Sequence, residues 1–241
     1  MPTESVAIIN ETIEIVFIVI SYFNTKEIAE SELSFGYVVF ILPISTLFFF
    51  LAAKAVKKDD ELIKLIQIDK IFGIGLAIET AILFAKKNNY DFLVRIDGDG
   101  QHPPKDVKNV LKFAISKKND LTIGSRFLSK SEYNPSYLRL YSIKLLRKLI
   151  NILYGANITD CTSGCQILSK NLIKRICDDE SFEYSEVSII CIASILKMSI
   201  GEKFINMKER TTGSSSFDFK NSFVYMFKNI LILLSLINFK N

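Results

Sequence analysis

Tyr90-Asp91-Phe92-Leu93-Val94-Arg95-Ile96 is an apolar, strand-like run, and it leads directly into Asp97-Gly98-Asp99-Gly100-Gln101-His102. Alternate side chains of an extended segment share a face, so Asp97 and Asp99 aim two carboxylates at one point. Gln101 continues that spacing with a neutral oxygen. Such a set suits a hard divalent cation held partly by carboxylates and partly by the phosphates of a nucleotide. Gly98 and Gly100 leave room for close backbone approach. Asp-Gly pairs are also strong turn formers, and the run taken alone reads first as a hairpin turn. An EF-hand loop is excluded, because it requires Gly at its sixth and Glu at its twelfth position, where this chain has His102 and Lys108. His102, the lone histidine, reads as a loop residue that shapes the site.

The flanking sequence decides between turn and site. Upstream, Ile13–Ile20 and Leu62–Ile68 are apolar strand candidates, and Gly75–Lys87 has helical periodicity through Leu76, Ile78, Ala81, Ile82 and Ala85. Its basic last turn complements the helix dipole. Downstream, Pro103–Lys118 reads as a helix with prolines at its start, and Asp120–Gly124 as a strand. This β-α-β-α-β order predicts an α/β fold with a mostly parallel sheet, in which ligands collect beyond the carboxyl ends of the strands. Residues 97–102 occupy such an end, and the metal-site reading rises above the turn.

The uncharged run Gly36–Ala53 is at the lower limit of a transmembrane helix. Pro43 and Ile44-Ser45-Thr46 divide it into a strand, Tyr37–Leu42, and a helix, Leu47–Val56, and a strand-turn-helix is favoured over a span.

The chain has 241 residues, enough for one large α/β domain with appended helices. It is 49% hydrophobic, and its mean hydropathy of +0.26 points toward a membrane surface. A net charge of +4 favours anionic partners, but no motif of a nucleic-acid binder is present. Cys161, Cys165, Cys177 and Cys191 lack zinc-site spacing, and Met1–Asn10 lacks the basic start of a signal peptide. Reduced thiols in the cytoplasm are expected.

Six ordered motifs carry a family resemblance. Gly73-Ile74-Gly75, Asn89-Tyr90-Asp91, Asp97–His102, Gly124-Ser125-Arg126-Phe127, Asp160-Cys161-Thr162-Ser163-Gly164 and Arg210-Thr211-Thr212-Gly213-Ser214-Ser215 together resemble family 2 glycosyltransferases. The nearest likeness is to short bacterial and archaeal members related to dolichyl-phosphate mannosyltransferase. It runs from about residue 70 to the carboxyl end.

The resemblance implies a GT-A fold, a nucleotide-sugar donor, and a polyprenyl-phosphate or growing surface glycan as acceptor. Asp97 and Asp99 match the carboxylates that contact the donor and a Mg2+ or Mn2+ ion, and Gln101 matches a residue that assists the metal. Arg126 and Arg210 match donor-binding arginines, whose planar forks suit phosphate oxygens, and Gly75 falls in the donor-binding Gly-x-Gly. Asp160 and Glu186 match acidic positions. Asp160 is read either as a general base or acceptor-positioning group, or as the cap of the turn through Thr162 and Ser163.

The first third, residues 1–69, departs from the pattern. Val6-Ala7-Ile8-Ile9-Asn10-Glu11 stands where the family has a strand leading to P-x-Y-N-E, and Leu42-Pro43-Ile44-Ser45-Thr46 where it has D-D-G-S. A catalytically impaired relative that serves as a membrane-associated partner is the alternative reading.

Arg139, Lys144, Arg147 and Lys148 fall on one half of a helical projection, with Leu138, Tyr141, Leu145, Leu146, Leu149 and Leu153 on much of the other. This pattern suits both an anionic membrane and ordinary packing. The expected organisation is a GT-A domain over residues 1–219 and an apolar helix over 220–241. That helix is an interfacial anchor or an oligomer contact at the cytoplasmic face of a membrane.

Overall fold

The run that decided the reading forms the central strand of the sheet. The computed structural model describes residues 15–20, 37–43, 63–68, 73–97, 101–129, 133, 135–178, 185–207 and 219–237. Val6–Glu11, Leu47–Val56, Gly98, Asp99, Gly100 and Arg210–Ser216 lie outside the described residues. The elements follow in the order β1 (Ile15–Ile20), β2 (Tyr37–Pro43), β3 (Ile63–Ile68), α1 (Gly73–Lys87), β4 (Phe92–Asp97), α2 (Pro104–Lys117) and β5 (Leu121–Ser125). They continue through α3 (Tyr137–Tyr154), β6 (Gln166–Ser169), α4 (Lys170–Cys177), α5 (Glu186–Ile195), β7 (Ile200–Phe204) and α6 (Phe219–Ile237).

The strands form one sheet in the order β3-β2-β1-β4-β6-β5-β7. Every pairing is parallel except those of β6, which runs antiparallel to β4 and to β5. The expected mostly parallel α/β sheet is therefore present. Its single reversal matters most for the site, because it carries the amino end of β6 to the carboxyl ends of β4 and β5.

Strand β2 lies between β1 and β3, so the uncharged run contributes a sheet strand. No helix among the described residues is long and apolar enough to cross a membrane. Pro43 is tolerated at the end of β2 because the ladder to β1 stops at Ile20 opposite Ile41, while that to β3 continues to Pro43 opposite Ile68.

The last residue of β1, Ile20, pairs with Asp97, so β1 lies directly beside the strand that leads into the acidic run.

Helix α2 starts with Pro104 after an extended Pro103, a position where the missing N–H is harmless, and ends at Lys118 in the left-handed region. Helix α3 is capped by Ser136, which accepts from the Arg139 amide, and stops at Gly155, whose φ of 68° suits glycine. The inner face of α3, with Ile143, Leu146, Ile150 and Tyr154, joins the core together with α5 and with Ile232, Leu233 and Leu236 of α6. The Tyr154 hydroxyl donates to the Leu233 carbonyl and ties α3 to α6.

Candidate functional site

Asp97, Arg126, the segment 160–165 and Glu186 come together at the carboxyl edge of the sheet. Asp97 ends β4, Arg126 follows β5, 160–165 precedes the reversed β6, and Glu186 opens α5. Two tight contacts fix the loop there. The Gly124 amide donates to the Cys165 carbonyl at 2.9 Å, and the buried Ser163 hydroxyl donates to the Gly124 carbonyl at 2.6 Å.

The Asp97 side chain remains 38% exposed although three groups surround it. Arg95 Nη2 lies 3.8 Å from its Oδ1 and His102 Nε2 lies 3.7 Å from its Oδ2. Burial favours the protonated acid, but the His102 contact and the charges of Arg95, His102 and Arg126 outweigh it and lower its pKa to about 2. The carboxylate is thus ionised across the physiological range. Gly164 makes this geometry possible, since a Cβ there would stand 2.0 Å from Asp97 Oδ2 and 2.5 Å from Oδ1.

His102 is buried, and neither ring nitrogen has a hydrogen-bond partner among the described residues. The imidazole instead faces the part-open Asp97 carboxylate, with Nε2 3.7 Å from Oδ2. Gln101 is half-buried in the same loop between β4 and α2. The described residues hold no group of three His, Cys, Asp or Glu side chains suited to a metal, and the second carboxylate of the run, Asp99, lies outside them.

Arg126 forms the second centre. Its Nε and one Nη reach Asp160 Oδ2 and Oδ1, both at 2.7 Å, its backbone amide donates to Oδ2 at 3.1 Å, and the same Nη reaches Thr162 Oγ1. The Thr162 amide donates to Asp160 Oδ1 at 3.2 Å, the cap read from the sequence. A carboxylate has about four lone-pair sites, and all are engaged. Asp160 is fully buried and presents none to an incoming hydroxyl. The pairing raises the Arg126 pKa against the opposing effect of burial. Glu202 of β7 holds the segment from behind, accepting from the Thr159 and Asp160 amides and the Thr159 hydroxyl.

Arg126 also lines a cavity of about 670 Å³ with Phe127, Tyr133, Tyr137, Leu140 and Lys144, at the amino end of α3. The ring of Tyr133 lies 4.4 Å from the guanidinium carbon, a cation–π contact.

Glu186 lies apart from the cavity. Its side chain, 15% exposed, accepts from Arg95 Nη2, and its helix begins with a capping box between Ser185 and Ser188. Gly75 is half-buried in the first turn of α1, which follows the carboxyl end of β3. Arg210 lies outside the described residues. Arg95 and Glu202 were not among the residues singled out from sequence. A detectable signal existed for Arg95: a cation inside an apolar strand, two residues before Asp97 and so on its face.

Residues 51–177 match the model of glycosyl transferase family 2. An uncharacterized protein of Methanocaldococcus jannaschii is 33% identical over 118 residues, covering 48% of each chain. The UDP-N-acetylglucosamine–dolichyl-phosphate N-acetylglucosaminyltransferase of Methanococcus voltae is 30% identical over 134 residues, 54% of this chain and 53% of that one. The chain thus spans about half the length of these curated relatives. Among solved structures, glucosyl-3-phosphoglycerate synthase of Mycobacterium tuberculosis, in complex with Mn2+, uridine diphosphate and phosphoglyceric acid, superposes with a TM-score of 0.68. It is 16% identical, with 95% of this chain and 79% of that one covered. The fold is GT-A, and the chain belongs to glycosyl transferase family 2.

Proposed function

We propose that this protein transfers a sugar from a nucleotide-diphosphate sugar to a polyprenyl phosphate at the cytoplasmic face of a membrane, with Mg2+ or Mn2+ at the donor site. The observation that carries the reading is the part-open Asp97 carboxylate at the carboxyl edge of the sheet, cradled by Gly164 and facing His102. Family membership, the Mn2+ and uridine diphosphate bound by the structural neighbour, and the dolichyl phosphate in the name of a relative support it.

In this reading Asp97, Asp99 and Gln101 hold the cation, which when bound neutralises charge on the leaving diphosphate. Arg210 supplies further positive charge to the donor, and Gly75 allows close approach of the α1 amino end. Arg126, preset by Asp160, turns its guanidinium toward the cavity at α3 and aligns an anionic acceptor with Lys144. A phosphate acceptor is already ionised near neutral pH, so the transfer requires no strong base, in keeping with the fully engaged Asp160.

The membrane part rests on α3. Tyr137, Tyr141, Lys144, Lys148 and Ile152 are all exposed along that helix, and no acidic residue occurs between Asn134 and Thr159. The division into residues 1–219 and 220–241 belongs to the same proposal, with α6 packed by one face on α3 and α5 and carrying Phe227, Leu231 and Leu234 outward. Those residues offer a second membrane contact or a contact between copies.

Calorimetric titration with UDP, GDP and their sugars, with and without Mn2+, tests the donor site. Metal-dependent binding is expected in the wild type and at least about 100-fold weaker in Asp97→Ala and Asp99→Ala, since even outer-shell losses reach 10–100-fold at metal sites. Absence of any nucleotide binding at millimolar concentration would overturn the proposal. For the surface, a Lys144→Glu/Lys148→Glu variant is expected to bind anionic vesicles at least about 30-fold more weakly, each lysine contributing ~1 kcal/mol there. Unchanged vesicle binding would remove α3 from the membrane contact.

A further inference from the structure

Arg95 is a cation buried in the central strand with two carboxylates in reach of one nitrogen. Its Nη2 donates to Glu186 Oε1 and lies 3.8 Å from Asp97 Oδ1. Arg95 and Asp97 are two residues apart on β4 and share a face, so the nitrogen bonded to Glu186 also stands within ion-pair reach of Asp97. Glu186 is the more firmly held partner. It stands in the first turn of α5, where the helix dipole favours an anion, behind a reciprocal Ser185–Ser188 capping box, and its carbonyl accepts from Gln166 of β6.

From this geometry we infer that Glu186 is a positioning residue: it draws Arg95 away from Asp97 and so keeps the Asp97 carboxylate open to a divalent cation. The inference rests on the reading of Asp97 as a donor-site ligand and goes beyond it by assigning Glu186 a role other than acid or base. Charge balance gives the reason. With Glu186 present, the three side chains carry one net negative charge, and a divalent cation binds to it with attraction. Without Glu186, Arg95 and Asp97 form a neutral pair, and an arriving cation must break that pair against the repulsion of the guanidinium. Arg95 is then a lock, and Glu186 holds the lock open.

The test compares Glu186→Gln, Arg95→Met and the double variant in Mn2+-dependent binding of UDP by calorimetry, alongside a crystal structure of Glu186→Gln. Glu186→Gln is expected to weaken binding at least about tenfold, as a released charge pair of this spacing implies after screening. Arg95→Met is expected to bind no more weakly than wild type, and the double variant to recover to within about threefold of it, because no guanidinium is left to close on Asp97. A purely structural role for Glu186 predicts no such recovery. Normal UDP binding with lost turnover in Glu186→Gln would make Glu186 a catalytic residue and overturn the inference, as would a double variant no better than the single. Should Glu186→Gln fold poorly, the Arg95→Met arm still decides, since loss of Mn2+-dependent binding there would show that Arg95 supports the site. A wild type that binds no nucleotide would remove the donor-site reading alone. The crystal structure would then judge the three side chains: Arg95 within hydrogen-bonding distance of Asp97 upholds their relation, and an unmoved Arg95 overturns it.

Discussion

Gly164→Ala is expected to abolish measurable Mn2+-dependent nucleotide binding while leaving the protein folded. The added methyl would stand 2.0 Å from Asp97 Oδ2, 2.3 Å from Cγ and 2.5 Å from Oδ1, all far inside van der Waals contact. Something must move by about 1 Å or more, and the two sides are unequally free. Gly164 belongs to a loop fastened by Ser163 to the Gly124 carbonyl and by the Cys165 carbonyl to the Gly124 amide. Asp97 is the last residue of its strand and is partly open to solvent. The carboxylate therefore gives way and leaves the place where it meets a ligand. A displacement of about 1 Å at such a centre costs on the order of 100-fold in activity. Circular dichroism and a thermal melt establish the fold, and calorimetry with UDP and Mn2+ reads the site. Gly124→Ala provides the contrast, because its Cβ would meet Cys165 Sγ at 2.8 Å and Ile205 at 3.3 Å inside the core. Overpacking there lowers stability by about 1–3 kcal/mol without touching Asp97. Wild-type binding in Gly164→Ala would show that Asp97 tolerates displacement, and its place at the donor site would fall.

The contrast between these glycines marks where the sequence was legible. Strand β4, helix α2 and strand β5 follow from hydrophobic run length, paired prolines and the acidic run, all of which act locally. Strand β2 was readable inside an uncharged stretch because Pro43 cannot continue a helix. Four-residue β6 offers no periodicity to read, and its antiparallel sense is a tertiary fact, so nothing local shows that 160–165 closes onto Asp97. The same limit applies to the acidic residues. The family resemblance matched Asp160 and Glu186 to acidic site positions, but only the fold shows each matched to an arginine, Asp160 to Arg126 and Glu186 to Arg95. Val6–Ile9 and Ile15–Ile20 are alike in composition; the register of Ile20 with Asp97 sets the second beside β4, and the first lies outside the described residues.

Removing one partner of the Arg126–Asp160 pair is expected to give the largest loss of stability in the molecule. Asp160 is fully buried and Arg126 is 3% exposed, with two side-chain bonds of 2.7 Å between them. Asp160→Ala leaves a guanidinium without its anion in the interior, a change that destabilises by about 3–5 kcal/mol. It also frees the Thr162 amide and loosens the segment that Glu202 holds through Thr159 and residue 160. Asp160→Asn keeps the shape but turns an amide N–H₂ toward an all-donor guanidinium, so it is expected to recover only part of that loss. Replacing both partners, as Arg126→Met/Asp160→Leu, removes the buried charges together and is expected to restore stability to within about 1–2 kcal/mol of wild type. Urea unfolding of the four proteins measures these differences. The double variant separates stability from function: it keeps the fold and nucleotide binding at Asp97 but loses transfer to a polyprenyl phosphate, because the cavity at α3 no longer presents a cation at its inner end. A catalytic base at Asp160 would give a different pattern, with wild-type unfolding in Asp160→Asn and turnover alone abolished. Such an outcome would require the carboxylate to leave Arg126 during the reaction, stripping its anion from a guanidinium that three hydrogen bonds now hold.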